Sequence, residues 1–151
     1  MHGGCCARYF SAEADNSNRI IDAHGREHTY LRMSLTERCN LRCKYCMPAE
    51  GVELSPASSL MTADQIVTLG KYFVGRGVDK IRLTGGEPLI RKDVVDICDR
   101  LSALSGLKRL AVTTNALVLG RKMPRLLDAG KSHPLASAPF SFLLAYFFLL
   151  F

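Results

Sequence analysis

The sequence predicts an α/β chain that forms a partial TIM-type barrel, about half of one, from three successive strand–helix units. Three observations carry that expectation. Strand and helix segments follow one another three times in order, the first strand marked by alternation and the first two helices by apolar residues at helical spacing. The repeat is about 30 residues long, as parallel βα units require. Cysteine-rich and glycine-rich segments stand directly after the strands, where the loops of a parallel barrel carry chemistry.

The first strand spans Thr29 to Leu35, where apolar and polar side chains alternate as in a half-buried strand. A cysteine loop follows, and Pro48, Gly51, Ser55, Pro56 and Ser58-Ser59 mark a long connection. Thr62 with Gln65 has the form of a capping box and starts a helix. Ile66, Leu69, Tyr72 and Phe73 recur along it at helical spacing, and Gly75 and Gly77 end it. Lys80 to Thr84 is the second strand and runs into Gly85-Gly86-Glu87-Pro88. Asp93 is placed to cap a second helix whose Val94, Ile97, Leu101 and Leu104 share a face. Arg109 to Thr114 is the third strand and Met123 to Ala129 the third helix.

This divides the chain into an irregular leader (1–28), a partial barrel domain (29–130) and a divergent tail (131–151). The tail turns apolar from Phe140 to Phe151, about a dozen residues, whereas a membrane-spanning helix needs around 20. It is expected to be unrelated to the barrel and prone to aggregate. Half a barrel is expected to leave an open strand edge near Val112 and an unfilled inner face.

The 151 residues carry a net charge of +6, with no basic run longer than Arg121-Lys122, so charge alone selects no partner. The first ten residues have no apolar stretch long enough for a secretory signal. Arg8 and Ser11 would suit a mitochondrial transit peptide, but Glu13 and Asp15 weaken it. Cys5-Cys6 lacks a partner spacing and is assigned to a disordered leader.

Cys39, Cys43 and Cys46 stand in a C-x3-C-x2-C arrangement. Clustered thiols argue for a metal over disulfides, and soft thiolates suit iron–sulfur clusters. Three of them satisfy three irons of a cubane and leave the fourth free to chelate a small molecule. A structural zinc site needs four closed ligands, with His24 and His28 as the nearby imidazoles. Gly85-Gly86 lets backbone approach a ligand closely. Cys98, among Val94, Ile97 and Leu101, reads as a buried apolar side chain.

The cysteine loop and Gly85-Gly86-Glu87-Pro88 resemble the cluster and S-adenosylmethionine (SAM) motifs of the radical SAM superfamily. Within it the chain is most similar to the molybdenum cofactor biosynthesis protein A family, the GTP 3′,8-cyclases. The likeness spans about residues 25–130 and rests on Leu31-Arg32-Met33-Ser34, the run from Thr36 to Pro48, the run from Lys80 to Asp93, and Thr113-Thr114-Asn115. It implies that Cys39, Cys43 and Cys46 ligate a 4Fe-4S cluster, that Tyr45 and Gly86 contact SAM, and that Arg32, Arg82 and Thr113 reach GTP, an expectation that suits the guanidinium fork. It also implies a lyase that cleaves SAM to a 5′-deoxyadenosyl radical acting on GTP, in the mitochondrial matrix or otherwise the cytoplasm. No nucleic acid or membrane partner is expected.

A full family member continues past Asp128-Ala129-Gly130 into further βα units and a second cysteine triad, whereas this sequence has no cysteine after Cys98. The expectation is a truncated chain with a replaced end, such as a splicing product. Three alternatives stand beside a partner-completed cyclase: a non-catalytic iron–sulfur or SAM-binding fragment that associates with a full-length member and regulates or competes with it, a transcript by-product that never folds, and a zinc-binding interaction module.

Overall fold

The computed structural model describes residues 19–129 and 140–144. Strand β1 (Tyr30–Ser34), helix α1 (Ala63–Val74), strand β2 (Lys80–Thr84), helix α2 (Val94–Ser102), strand β3 (Arg109–Thr114), helix α3 (Leu119–Ala129) and strand β4 (Phe140–Leu144) follow in that order. The four strands form one sheet in sequence order, every neighbouring pair parallel. This is the succession of βα units that the repeat predicts.

The two faces of the sheet follow from side-chain alternation in register. Met33 pairs with Leu83, Ile81 with Leu110, and Leu83 with Val112. These side chains are buried together with Ile66 of α1, Ile97 and Leu101 of α2 and Leu126 of α3. The intervening positions, Tyr30, Arg32, Ser34, Lys80, Arg82, Thr84, Ala111 and Thr113, are in register on the opposite face. One face thus packs the core and the other presents polar groups.

Helix α1 begins where the capping box places it. The Thr62 hydroxyl accepts from Gln65 N at 3.2 Å, and Gln65 Oε1 accepts from Thr62 N at 2.9 Å. Gly75 caps its end in the right-handed region, and Gly77 takes a φ of +96°.

Three expectations change. Asp93 does stand at the N-cap of α2, but its side chain caps nothing. It accepts from Arg91 Nε at 2.6 Å and from the Arg91 terminal nitrogen at 3.0 Å. Those hydrogen bonds hold the Asp93 carboxyl below its ordinary value. Arg91 in turn donates to the carbonyls of Leu35 (2.9 Å) and Met61 (2.7 Å), so the pair joins the end of β1 to the entry of α1.

Helix α3 starts at Leu119, four residues before its expected start, with Pro124 inside it. Gly120 and Pro124 obscure the pattern, but Leu119, Leu126 and Ala129 form a buried face that holds the first turn onto the core. Two 3-10 turns, Ala57–Ser59 and Pro88–Ile90, are too short for a periodicity to reveal.

The largest change is at the sheet edge. Val112 is not at an open edge: β4 pairs with β3 from Leu110↔Phe140 to Thr114↔Leu144. The segment expected to be unrelated to the barrel supplies a strand where the next βα unit would place one. The rest of the tail and the leader, with Cys5-Cys6, lie outside the described residues. Among those described, no helix is long and apolar enough to cross a membrane.

Candidate cluster and cofactor site

Three loops leave the C-terminal ends of β1, β2 and β3, and each contributes to one site. The first bears the thiols. Cys39 and Cys43 are partly exposed and Cys46 is exposed. The amides of Cys46 and Met47 both donate to the Cys43 carbonyl, at 3.0 and 2.9 Å, which closes a turn around the second and third cysteines. Arg42 donates to the carbonyls of Cys39 (3.1 Å) and Leu41 (3.0 Å).

Burial pushes the Cys46 thiol up, and the nearby Cys43 and Cys39 push it further. Tyr45, 86% exposed, has its phenol raised first by Cys43 and then by Cys46. The Cys46 thiol and the Tyr45 phenol therefore both feel the neighbouring cysteines of the loop.

Among the described residues, no three His, Cys, Asp or Glu side chains converge as ligands of a single ion. Cubane thiolates bind different irons and need not converge. The donor chemistry, three thiols within eight residues of loop, fits such a cluster.

The second loop is Gly85-Gly86-Glu87-Pro88. Gly86 N donates to the Thr36 carbonyl at 2.7 Å and Glu87 N to the Arg38 carbonyl at 2.8 Å, locking this loop to the chain entering the cysteines. A Cβ at Gly86 would collide with the Arg38 carbonyl oxygen and stand 2.6 Å from that of Glu37. Gly85 has φ +140° and would collide with the Thr36 carbonyl. Glycine is thus required at Gly86 by the neighbouring loop. On the side where a Cβ would stand, the protein's own carbonyls press against this loop.

Glu87 is 1% exposed, and its carboxylate is the hub of the three loops. Oε1 accepts from Leu89 N (2.9 Å) and from the Thr114 hydroxyl (2.8 Å), and Oε2 accepts from Asn115 N (2.7 Å). Asn115 Nδ2 then donates to Asn40 Oδ1, next to the first thiol, at 2.8 Å. Sequence reasoning assigns no role to Glu87, Thr114, Asn115 or Asn40. The available signal was a carboxylate inside a Gly-Gly-Glu-Pro segment, since a buried charge needs donors around it.

The third loop also holds strain. Ala116 has φ +65°, a region that costs an L-residue about 1–2 kcal/mol. Replacing Ala116 by glycine removes that cost but adds unfolded-state entropy. The variant should be about 0.5–1 kcal/mol more stable in urea unfolding; a less stable variant would show that the turn is unstrained.

Arg32, Arg82 and Thr113 lie on the polar face beneath these loops. Arg32 and Arg82 are register partners across β1 and β2, and Arg82 pairs with Ala111, two residues before Thr113. Arg32 Nε makes a long bond, 3.4 Å, to the Thr84 hydroxyl. Arg82 Nε is buried with no hydrogen-bond partner. The Arg82 guanidinium and the Lys80 ammonium lie 5.5 and 5.7 Å from the Tyr30 ring centre. Among the described residues none of these three cations is ion-paired. The face carries no carboxylate in β1–β3, so it is complementary to an anion.

Cys98 is fully buried in α2, its thiol pushed up to about 12 by burial, and it is core. The structure therefore gathers the thiols, Tyr45 and Gly86 at the strand ends, and sets the two arginines and Thr113 on the face below.

Comparison with known proteins gives the family. The radical SAM superfamily model matches residues 33–138. The chain is 60% identical over 114 residues to "GTP 3′,8-cyclase, mitochondrial" of Arabidopsis thaliana, covering 76% of this chain and 29% of that protein. It is 58% identical over 113 residues to "Molybdenum cofactor biosynthesis protein 1" of Homo sapiens, covering 75% and 18%. It is 46% identical over 112 residues to the "GTP 3′,8-cyclase" of Lactiplantibacillus plantarum, covering 74% and 34%. The chain thus spans roughly a fifth to a third of the length of these relatives. With thiols, glycine loop and parallel strands arranged as described and most of its length matched, the chain belongs to the radical SAM superfamily, whose members use SAM with an iron–sulfur cluster.

Proposed function

We propose that this chain carries the SAM- and GTP-handling front part of a GTP 3′,8-cyclase acting in molybdenum cofactor biosynthesis. The observation that carries the reading is the stacking of two chemistries: a three-thiol loop at the strand ends over a face whose cations have no ion pair among the described residues. Cys39, Cys43 and Cys46 hold a 4Fe-4S cluster by three corners. When bound, that cluster would supply the electron for the reductive cleavage of SAM.

The protein's own part is to bind, orient and exclude water. Tyr45 and the backbone at Gly86 flank the SAM position. Arg82 and Arg32, register partners on that face, meet a phosphate of GTP, and Thr113 contributes from β3. The relative from Arabidopsis thaliana is named mitochondrial, which supports that compartment for this chain.

The test uses the full chain, reconstituted anaerobically. Reduction with SAM present should yield 5′-deoxyadenosine. Arg82→Ala should weaken GTP binding by about 10-fold or more, the size of one charge-assisted hydrogen bond. A fully loaded cluster that forms no 5′-deoxyadenosine, together with GTP binding indifferent to Arg82, would overturn the reading.

A further inference from the structure

We infer that Asn40 and Asn115 form a clasp that sets the pose of the cysteine loop. Its functional meaning rests on the reading of that loop as a cluster site. Asn115 Nδ2 donates to Asn40 Oδ1 at 2.8 Å across 75 residues of sequence. Among the described residues, this is the hydrogen bond that ties positions 40–46 to another element. Their other bonds stay within the loop: Leu41 N to Cys39 Sγ, Arg42 to the carbonyls of Cys39 and Leu41, and Cys46 N to the Cys43 carbonyl. A loop joined to the body through one side-chain pair takes its orientation from that pair.

The anchoring end is itself immobilised. Asn115 N donates to the buried Glu87 carboxylate at 2.7 Å, and Asn115 Oδ1 accepts from Leu117 N at 3.1 Å. Only the Nδ2 arm is left to reach the loop. The position needs an acceptor for its own turn and a donor for the neighbouring loop on one short side chain. Asparagine supplies both, while serine lacks the forked reach and aspartate lacks the donor. The clasp closes one residue after Cys39, so it fixes that sulfur relative to the β3 loop and the cationic face beneath it. These are positioning residues: neither bears a thiol nor a cation of the site.

Asn40 is exposed and makes this one side-chain bond, so substituting it leaves the core untouched. The readout is hydrogen exchange at the amides of Leu41, Cys46 and Met47 in the cluster-free full chain. Asn40→Ala should speed exchange there about 3-fold to 10-fold, the range that one hydrogen bond spans, and leave the amides of β2 and β3 unchanged. Asn40→Asp keeps the acceptor and should restore the wild-type rates. Adding Asn115→Ala to Asn40→Ala should speed those three amides no further. Unchanged exchange in Asn40→Ala, or no rescue by aspartate, would overturn the clasp. Iron content of the reconstituted wild-type chain is measured in parallel. An iron-free wild type would sink the cluster reading, while the exchange rates decide the clasp in either case.

Discussion

Replacing Glu87 by alanine is expected to destabilise the chain by about 3–5 kcal/mol. Three donors lose their acceptor at once: the amides of Leu89 and Asn115 and the hydroxyl of Thr114. Each buried unsatisfied donor costs about 1–3 kcal/mol, and the vacated side-chain volume adds a cavity. Partial rehydration of the loops offsets some of that sum. Whole domains hold only about 5–15 kcal/mol, so the loss approaches the limit of folding. Glu87→Gln retains the volume and one acceptor oxygen and should lose about 1–2 kcal/mol. Urea unfolding of the three proteins distinguishes the cases; an alanine variant within about 1 kcal/mol of wild type would show that the carboxylate is not the hub described here.

The same residue shows where reading the sequence succeeds and where it stops. Strands β2 and β3 have the bounds that the sequence predicts, Lys80–Thr84 and Arg109–Thr114. The start of α1 is equally legible, since a capping box is a local chemical signature. The thiol triad is legible for the same reason: its ligands are close in sequence.

Features that depend on distant partners are not. Asp93 has the type and place of a cap, but Arg91 competes for its side chain and wins with a paired guanidinium contact. Gly86 is recognisable as a glycine that must be glycine, yet the pressing atoms belong to Glu37 and Arg38, which only folding brings alongside. Glu87 is 27 residues from Thr114 and 28 from Asn115, and no short-range pattern links them. The pairing of β4 with β3 escaped for a related reason: a near-continuous apolar run suits a parallel strand, but nothing local names the edge whose backbone donors and acceptors it meets.

The second large effect concerns the thiols. Cys43→Ala is expected to remove the cluster outright, because a cubane left with two protein ligands is not retained. The substitution spares the local turn, as the bonds from Cys46 N and Met47 N go to the Cys43 backbone carbonyl and not to its sulfur. Loss of iron and sulfide in a variant with unchanged unfolding would therefore report on ligation alone. The measurement that bears on it most directly is electron paramagnetic resonance of the anaerobically reconstituted, reduced chain, recorded with and without SAM beside Cys43→Ala. The account predicts a cluster signal that changes when SAM is added to the wild type and is missing from the variant. A wild-type signal indifferent to SAM, or a chain that binds zinc without iron and sulfide, would contradict it.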